Sequence, residues 1–162
     1  MYIFLIGVAA RAGAARTKGE GMGLFTQREK DYLQSQRVGR LATAGKAAKP
    51  HVIPVVFHLD PDTESIKIGS HSYRGQDRLY IRQLQSNPEA AFVVDDVVTE
   101  PQWTPRGVLI KGRVQIHETG GETLGPGFGP RWIEITPGWV NSWGIDADPF
   151  ADPAAPRTSP VS

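Results

Sequence analysis

The sequence predicts a mostly β fold with flanking helices, its strands curled into a barrel. Three observations lead there. Between Val38 and Glu118 lie five strand-like runs, VGRLATAG, PHVIPVVFHLD, ESIKIGS, AAFVVDDV and RGVLIKGRVQIHE. A single basic, helix-like segment, SYRGQDRLYIRQLQSNP, separates the third run from the fourth. Finally, the second run is apolar on both of its faces. Side chains alternate along a strand, so His51, Ile53, Val55, Phe57 and Leu59 share one face and Val52, Pro54, Val56 and His58 the other. Such a strand needs cover on both sides, either inside a barrel or between a barrel and a partner.

At 162 residues and 40% hydrophobic content the chain can bury a sizeable core, and it is expected to form one domain. Eighteen Lys and Arg nearly balance seventeen Asp and Glu, and a net charge of +1 offers no general attraction to nucleic acid or an anionic membrane. Any basic character must therefore be local. Cysteine is absent, which excludes disulfides, thiolate metal sites and thiol nucleophiles and fits a reducing, cytoplasmic setting.

In chain order, MYIFLIGVAA is apolar for ten residues and is followed by small, basic and Gly-rich positions. It lacks the positive n-region of a signal peptide and is too short to span a membrane, which needs about 20 residues. Residues 1–21 are expected to be an extension that is disordered or not native, with a secretion signal as the alternative. From Met22 the domain begins. Thr26 is placed to cap a helix over QREKDYLQSQ, with Glu29 three residues on completing a capping box. The strand through Arg40 to Thr43 follows, then the apolar run carrying Pro54. Proline cannot donate to a ladder, so Pro54 marks an edge, a bulge, or a place where a ligand lies beside the backbone.

The turn DPDTES leads into SIKIGSHS, where Gly69 permits close approach to the backbone. Ser70, His71 and Ser72 then open the helix-like segment, and a helix N-terminus with hydroxyls and free amides is an anion site. Arg74, Arg78 and Arg82 recur every four residues, as on one face of a helix. They can form a solvated face paired to Asp77 or Glu89, or hold a phosphate; their position after Gly-Ser-His favours the phosphate. Asn87-Pro88 ends the helix. Asp95 and Asp96 close the next strand, but neighbours on a strand point to opposite faces and cannot make a catalytic dyad. In the last of the five runs Val108, Ile110, Gly112, Val114 and Ile116 face one way, and Lys111, Arg113 and Gln115 the other.

The four histidines do not suggest a metal site, since His51 and His58 lie on opposite faces and no HxH or HxxxH pair occurs. Neither G-x-G-x-x-G, a P-loop nor G-x-S-x-G is present. GGETLGPGFGP, near 120 to 130, has no lysine and no following helix and reads as a linker. Residues 147–162, rich in proline and turn formers, read as a flexible tail. The folded unit is then 22–146.

The succession RVGRLATAG, PHVIPVVF, IGSHS, a basic helix, AAFVVDD, PRGVLIKGR and IEITPGWVNSWGID resembles the pyridoxamine 5'-phosphate oxidase-related proteins. Its VVDD, W-x-PRGV and SWG pieces look most like the actinobacterial-type deazaflavin-dependent branch. The resemblance implies a six-stranded split β-barrel, the FMN-binding split barrel, forming a homodimer with cofactor clefts between subunits. It implies an oxidoreductase that transfers hydride to or from a small molecule, using FMN or the deazaflavin coenzyme F-420. The alternative is a carrier of the same fold that binds flavin, deazaflavin or haem without turnover. By the same resemblance the second strand supplies His51, Val52, Ile53 and Pro54 to the ring and ribityl chain, with Ile68, Gly69, Ser70 and His71 after the third. Arg74 and Arg78 would hold the phosphate, and Arg106 and Trp143 would lie near the cofactor or the dimer interface. Relatives commonly carry a lysine early in that helix where this chain reads Arg78-Leu79-Tyr80; the alternatives are that the phosphate passes to Arg74, Arg78 or Arg82, that the cofactor is held weakly, or that a split barrel of this kind has lost its cofactor. His71 and Tyr80 are the candidate proton donors, beside an ordered water.

Overall fold

The computed structural model describes residues 23–71, 77–150 and 156–158. The expected N-terminal extension, Ser72 and Arg74 lie outside these residues. The elements run α1 (Gln27–Ser35), β1 (Val38–Ala44), β2 (Pro50–Val56), β3 (His58–Leu59), β4 (Ile66–Gly69), α2 (Leu79–Ser86), β5 (Glu89–Val98), β6 (Thr104–His117), β7 (Trp132–Trp143) and β8 (Arg157–Thr158). Every strand pairing is antiparallel. The sheet order is β2-β1-β5-β6-β7-β4-β3, with β8 added on β7.

This order forces the sheet to curl. β2 and β3 stand at opposite ends of the hydrogen-bonded path, yet only Phe57 separates them in sequence. In a flat sheet seven strands would put the two edges about 29 Å apart, whereas the chain across one residue reaches only about 7 Å. The sheet therefore wraps into a barrel. Its seam lies where β2 comes beside β4, and no ladder joins these two among the described residues. Where six strands are expected, seven lie on the path, because the apolar run from His51 to Leu59 is broken at Phe57. That ring turns inward, 3% exposed, to meet Phe92 edge-on at 5.1 Å.

The barrel interior holds Leu41, Ile66, Ile68, Phe92, Val94, Val108, Ile110, Ile133, Ile135 and Val140, each at most 1% exposed. β6 alternates as its sequence predicts, with Val108, Ile110, Gly112 and Val114 buried and Lys111, Arg113 and Gln115 exposed. Gly39 has no side chain because Phe92 lies over it, and a Cβ there would fall 2.2 Å from the ring. The helix α1 has the expected capping box, Thr26 with Glu29, and buries Tyr32 and Leu33. α2 is fastened to β1 by Thr43 Oγ1 donating to Gln83 Oε1 at 2.6 Å and Asn87 Nδ2 donating to the Ala44 carbonyl at 2.9 Å. Asn87 caps its C-terminus.

Three expectations change. In the described part of the basic segment the helix starts at Leu79, since Arg78 is extended (φ −59°, ψ 150°), so Arg78 and Arg82 do not share a helical stripe. The second face of β2 is uncovered in one chain: Val52 is 60% and Val56 45% exposed, beside Val38 at 43% on β1. The segment expected to be a loose tail returns at Arg157–Thr158 to pair with Val140 and Trp139 as β8. There Arg157 reaches Glu29, which is fully buried. Among the described residues no helix is long and apolar enough to cross a membrane.

Candidate functional site

The seam of the barrel carries a cavity of about 350 Å³. Its walls are Ile53, Pro54, Val55 and Val56 from β2, Gly69 from the end of β4, His71, Arg78 and Tyr80 around the start of α2, and Phe128. The local reasons are simple. β2 pairs only with β1 among the described residues, so its other edge is free, and Pro54 sits opposite Arg40 in that edge strand. A proline there loses no ladder hydrogen bond. β4 ends at Gly69, and the chain turns away from the sheet into the segment before α2.

A second cavity of about 230 Å³ adjoins the first, and both are lined by His71 and Arg78. Its other walls are polar: Ser70, Asp77, Glu118, Gly129, Pro130 and Arg131. Arg131 is neutralised where it stands. It donates to Glu118 through Nε at 2.7 Å and Nη2 at 2.6 Å, and through Nη1 to Asp77. These carboxylates, Glu118 foremost, hold its pKa above the ordinary guanidinium range. Arg78 is differently placed. Its Nε donates to the His71 carbonyl at 3.3 Å, which anchors the guanidinium where the two cavities meet.

Tyr80 is 4% exposed and its hydroxyl donates to Ser70 Oγ at 2.9 Å. Burial pushes its pKa up, against the smaller opposing pull of the Ser70 hydrogen bond and the Arg78 charge. It thus stays protonated at neutral pH and serves as a fixed hydrogen-bond donor. Its backing fixes Ser70, itself 6% exposed, at the end of β4.

Of the residues singled out from sequence, Ile53, Pro54, Gly69, His71 and Arg78 line the first cavity, and Ser70 the second. Ile68 is buried in the barrel core and can offer only backbone. His51 and Val52 lie further along β2, opposite Thr43 and Ala42, with the Val52 side chain on the outer face. Arg74 lies outside the described residues. Arg106 and Trp143 are not brought to this cavity within one chain. Arg106 makes a two-point ion pair with Asp96, at 3.0 and 2.6 Å, and stands over the Tyr32 ring at 5.2 Å. Trp143 covers Gly107, where a Cβ would fall 2.1 Å from the indole. Asp95 instead pairs with Arg40 at 2.8 Å on the other face, so the two neighbouring aspartates are indeed separated.

Phe128 was missed. It belongs to the Gly/Pro run that reads as a linker, yet it crosses over Gly69 and tilts against His71, with ring centroids 4.8 Å apart. The signal available in the sequence was a single large aromatic in GPGFGP, where no neighbour has a side chain that could explain it.

The family model described as pyridoxamine 5'-phosphate oxidase matches residues 25–144. The chain belongs to that family. It is 39% identical over 124 residues, 76% of this chain and 86% of the relative, to the 5a,11a-dehydrotetracycline/5a,11a-dehydrooxytetracycline reductase of Streptomyces rimosus. Among solved structures it is similar to a conserved hypothetical protein of Mycobacterium tuberculosis, with a TM-score of 0.58 and 19% identity over 80% of this chain and 91% of that one. The Group A Streptococcus protein HupZ also gives a TM-score of 0.58, at 17% identity over 76% of this chain and 98% of that one. The split-barrel fold is thus the family's, and the chain is an enzyme of the oxidoreductase class.

Proposed function

We propose that this protein is a cytoplasmic, flavin- or deazaflavin-dependent reductase that moves hydride between FMN or coenzyme F-420 and a small conjugated acceptor. The observation that carries this reading is the pairing of two cavities at one arginine. An apolar slot walled by Ile53, Pro54 and Phe128 opens, past His71 and Arg78, into a polar recess floored by Ser70. That division suits a ligand with a flat ring at one end and a phosphate on a polar chain at the other. Both cofactors have this form.

The cofactor supplies the hydride chemistry, and the protein supplies orientation, a dry cleft and charge. The free edge of β2 beside Pro54 offers backbone groups to a ring. Arg78 is positioned for the phosphate, where a guanidinium can make two parallel hydrogen bonds. Tyr80 and Ser70 hold the end of β4 beneath it. The likeness to the Streptomyces rimosus reductase suggests an acceptor of the same kind, a polycyclic molecule with a conjugated double bond.

A homodimer is part of the proposal. Val38, Val52 and Val56 form an exposed apolar strip on the outer face of β1 and β2, and Val97 on β5 is 48% exposed. A second copy packed there would bury it. Arg106 and Trp143 would have to reach a cofactor from such a second copy.

Titration of the purified protein with FMN and with coenzyme F-420, followed by fluorescence quenching, tests the reading. Arg78→Glu should weaken the preferred cofactor about 10- to 100-fold, the loss of a charge-assisted hydrogen bond. Unchanged affinity would remove Arg78 from the site. Multiple-turnover oxidation of the reduced cofactor by a polycyclic enone would distinguish an enzyme from a carrier.

A further inference from the structure

Phe128 lines the cavity from the loop between β6 and β7, outside the sheet and α2. Its loop is not a loose linker. Gly129 N–H donates to the Ser70 carbonyl at 3.1 Å, which joins the loop directly to the end of β4. Gly121 N–H donates to the Pro130 carbonyl at 2.8 Å, and Trp132 Nε1 donates to the Thr119 carbonyl at 2.9 Å, closing the base. Between these ties the chain turns through Gly120, Gly125 and Gly127 at φ 93°, 151° and 82°, backbone angles that a larger residue rarely adopts. The turns return Phe128 to the barrel.

The ring is received by a gap. A Cβ on Gly69 would fall 2.5 Å from Phe128 Cγ, so glycine at that position lets the ring lie flat over the end of β4. His71 flanks it at 4.8 Å with the rings inclined by 39°. Phe128 remains only partly buried, and it lines the cavity together with Ile53, Pro54 and Val56 of β2. The slot thus has an aliphatic wall on β2 and an aromatic wall on the loop. An aromatic wall attracts a flat conjugated ring in offset-stacked or edge-on contact, beyond what apolar area alone provides.

We infer that Phe128 is a ring-binding residue, the aromatic wall against which the conjugated ring of the cofactor packs, with Arg78 holding the phosphate end. The inference rests on the cofactor-binding reading above and adds the residue that recognises the ring. It separates two contributions within one ligand. Phe128 acts on the chromophore and Arg78 on the phosphate.

Two probe pairs test this: FMN beside lumiflavin, and coenzyme F-420 beside its phosphate-free deazaflavin chromophore, each titrated into the full chain by fluorescence quenching. Phe128→Ala should weaken both members of the bound pair by a similar factor, about tenfold, while Phe128→Trp stays within about threefold of the unmodified protein. Arg78→Glu should weaken only the phosphate-bearing member. Phe128→Leu, which keeps apolar packing over Gly69, provides a folded control, checked by its thermal transition; it should bind the chromophores less well than Phe128→Trp. If Phe128→Ala and Phe128→Leu bind the phosphate-free chromophore as the unmodified protein does, the inference is overturned while the cofactor reading stands. If loss appears only with the phosphate-bearing member, Phe128 is not a ring contact and the inference also fails. Binding of neither pair by the unmodified protein would sink the cofactor reading and this one with it.

Discussion

The ion pair between Glu29 and Arg157 offers the sharpest test of how this barrel is held together. Glu29 is 0% exposed. Its carboxylate accepts from the Thr26 N–H at 2.8 Å, from Ser142 Oγ, and from Arg157 Nη2 at 2.5 Å, while Arg157 Nε donates to the Leu24 carbonyl at 3.0 Å. A capping box alone would have left that charge in water; here Glu29 is buried and bonded to Ser142 of β7 and Arg157 of β8, and the cation comes from 128 residues away. Removing one member of a buried pair typically costs about 3–5 kcal/mol, because an uncompensated charge stays behind. The Arg157 side chain is 33% exposed, and Glu29 would keep the Thr26 and Ser142 donors. Arg157→Met should therefore cost less, about 2–3 kcal/mol, equivalent to a fall of roughly 5–10 °C in Tm for a chain of this size. Glu29→Gln in the same chain removes the stranded charge and keeps an acceptor, so the double variant should recover most of that loss. Urea unfolding at pH 7, followed by tryptophan fluorescence, gives the four corners of the cycle. The reasoning fails if Arg157→Met costs less than about 0.5 kcal/mol, or if Glu29→Gln does not rescue it.

Two further predictions concern the surface. Asp60, at the β3–β4 turn, accepts from Lys67 Nζ at 2.6 Å and from the N–H groups of Thr63 and Asp62, and this lowers its pKa to about 2, the lysine contributing most. Because its folded value lies below the unfolded one of about 3.9, its contribution is present above pH 4 and is lost as the pH falls from about 4 to 2. Asp60→Asn should then cost about 1 kcal/mol at pH 7, allowing for solvent screening of a partly exposed pair; acid titration of stability should show a flatter limb between pH 4 and 2, and an unchanged limb would refute the assignment. Val52→Asp places a charge in the exposed apolar strip without touching the barrel core. Light scattering after size exclusion should show the unmodified protein as a dimer and the variant as a folded monomer, and a monomeric unmodified protein would end the dimer proposal.

Much of the local architecture was legible from residue order. The capping box at Thr26 and Glu29, the alternation of β6, the opposed directions of Asp95 and Asp96 and the edge position of Pro54 all follow from geometry within a few residues. So did part of the cavity lining, because Gly69 ends a strand and Ser70 and His71 follow it ahead of a helix. The break at Phe57 was not legible. An apolar residue continues the alternation of its strand equally well whether the strand goes on or is cut, and only the inward pull of the core toward Phe92 decides it. Arg78 was misplaced on a helical stripe for a related reason, since four-residue spacing does not reveal where a helix begins.

By itself, then, the sequence determined most of the strand segments, though not β7, which lies beyond the five strand-like runs, and it determined which faces are apolar and which family the chain resembles. These depend on side-chain alternation, turn chemistry and short motifs, all written within ten or so residues. Tertiary structure alone decided that the two ends of the sheet meet at a seam, that a Gly/Pro linker delivers Phe128 to that seam, and that Arg157 balances Glu29. Each of these joins residues dozens of positions apart. Such partners are chosen by how the curled sheet packs, through burial and charge compensation, and no local pattern carries that information.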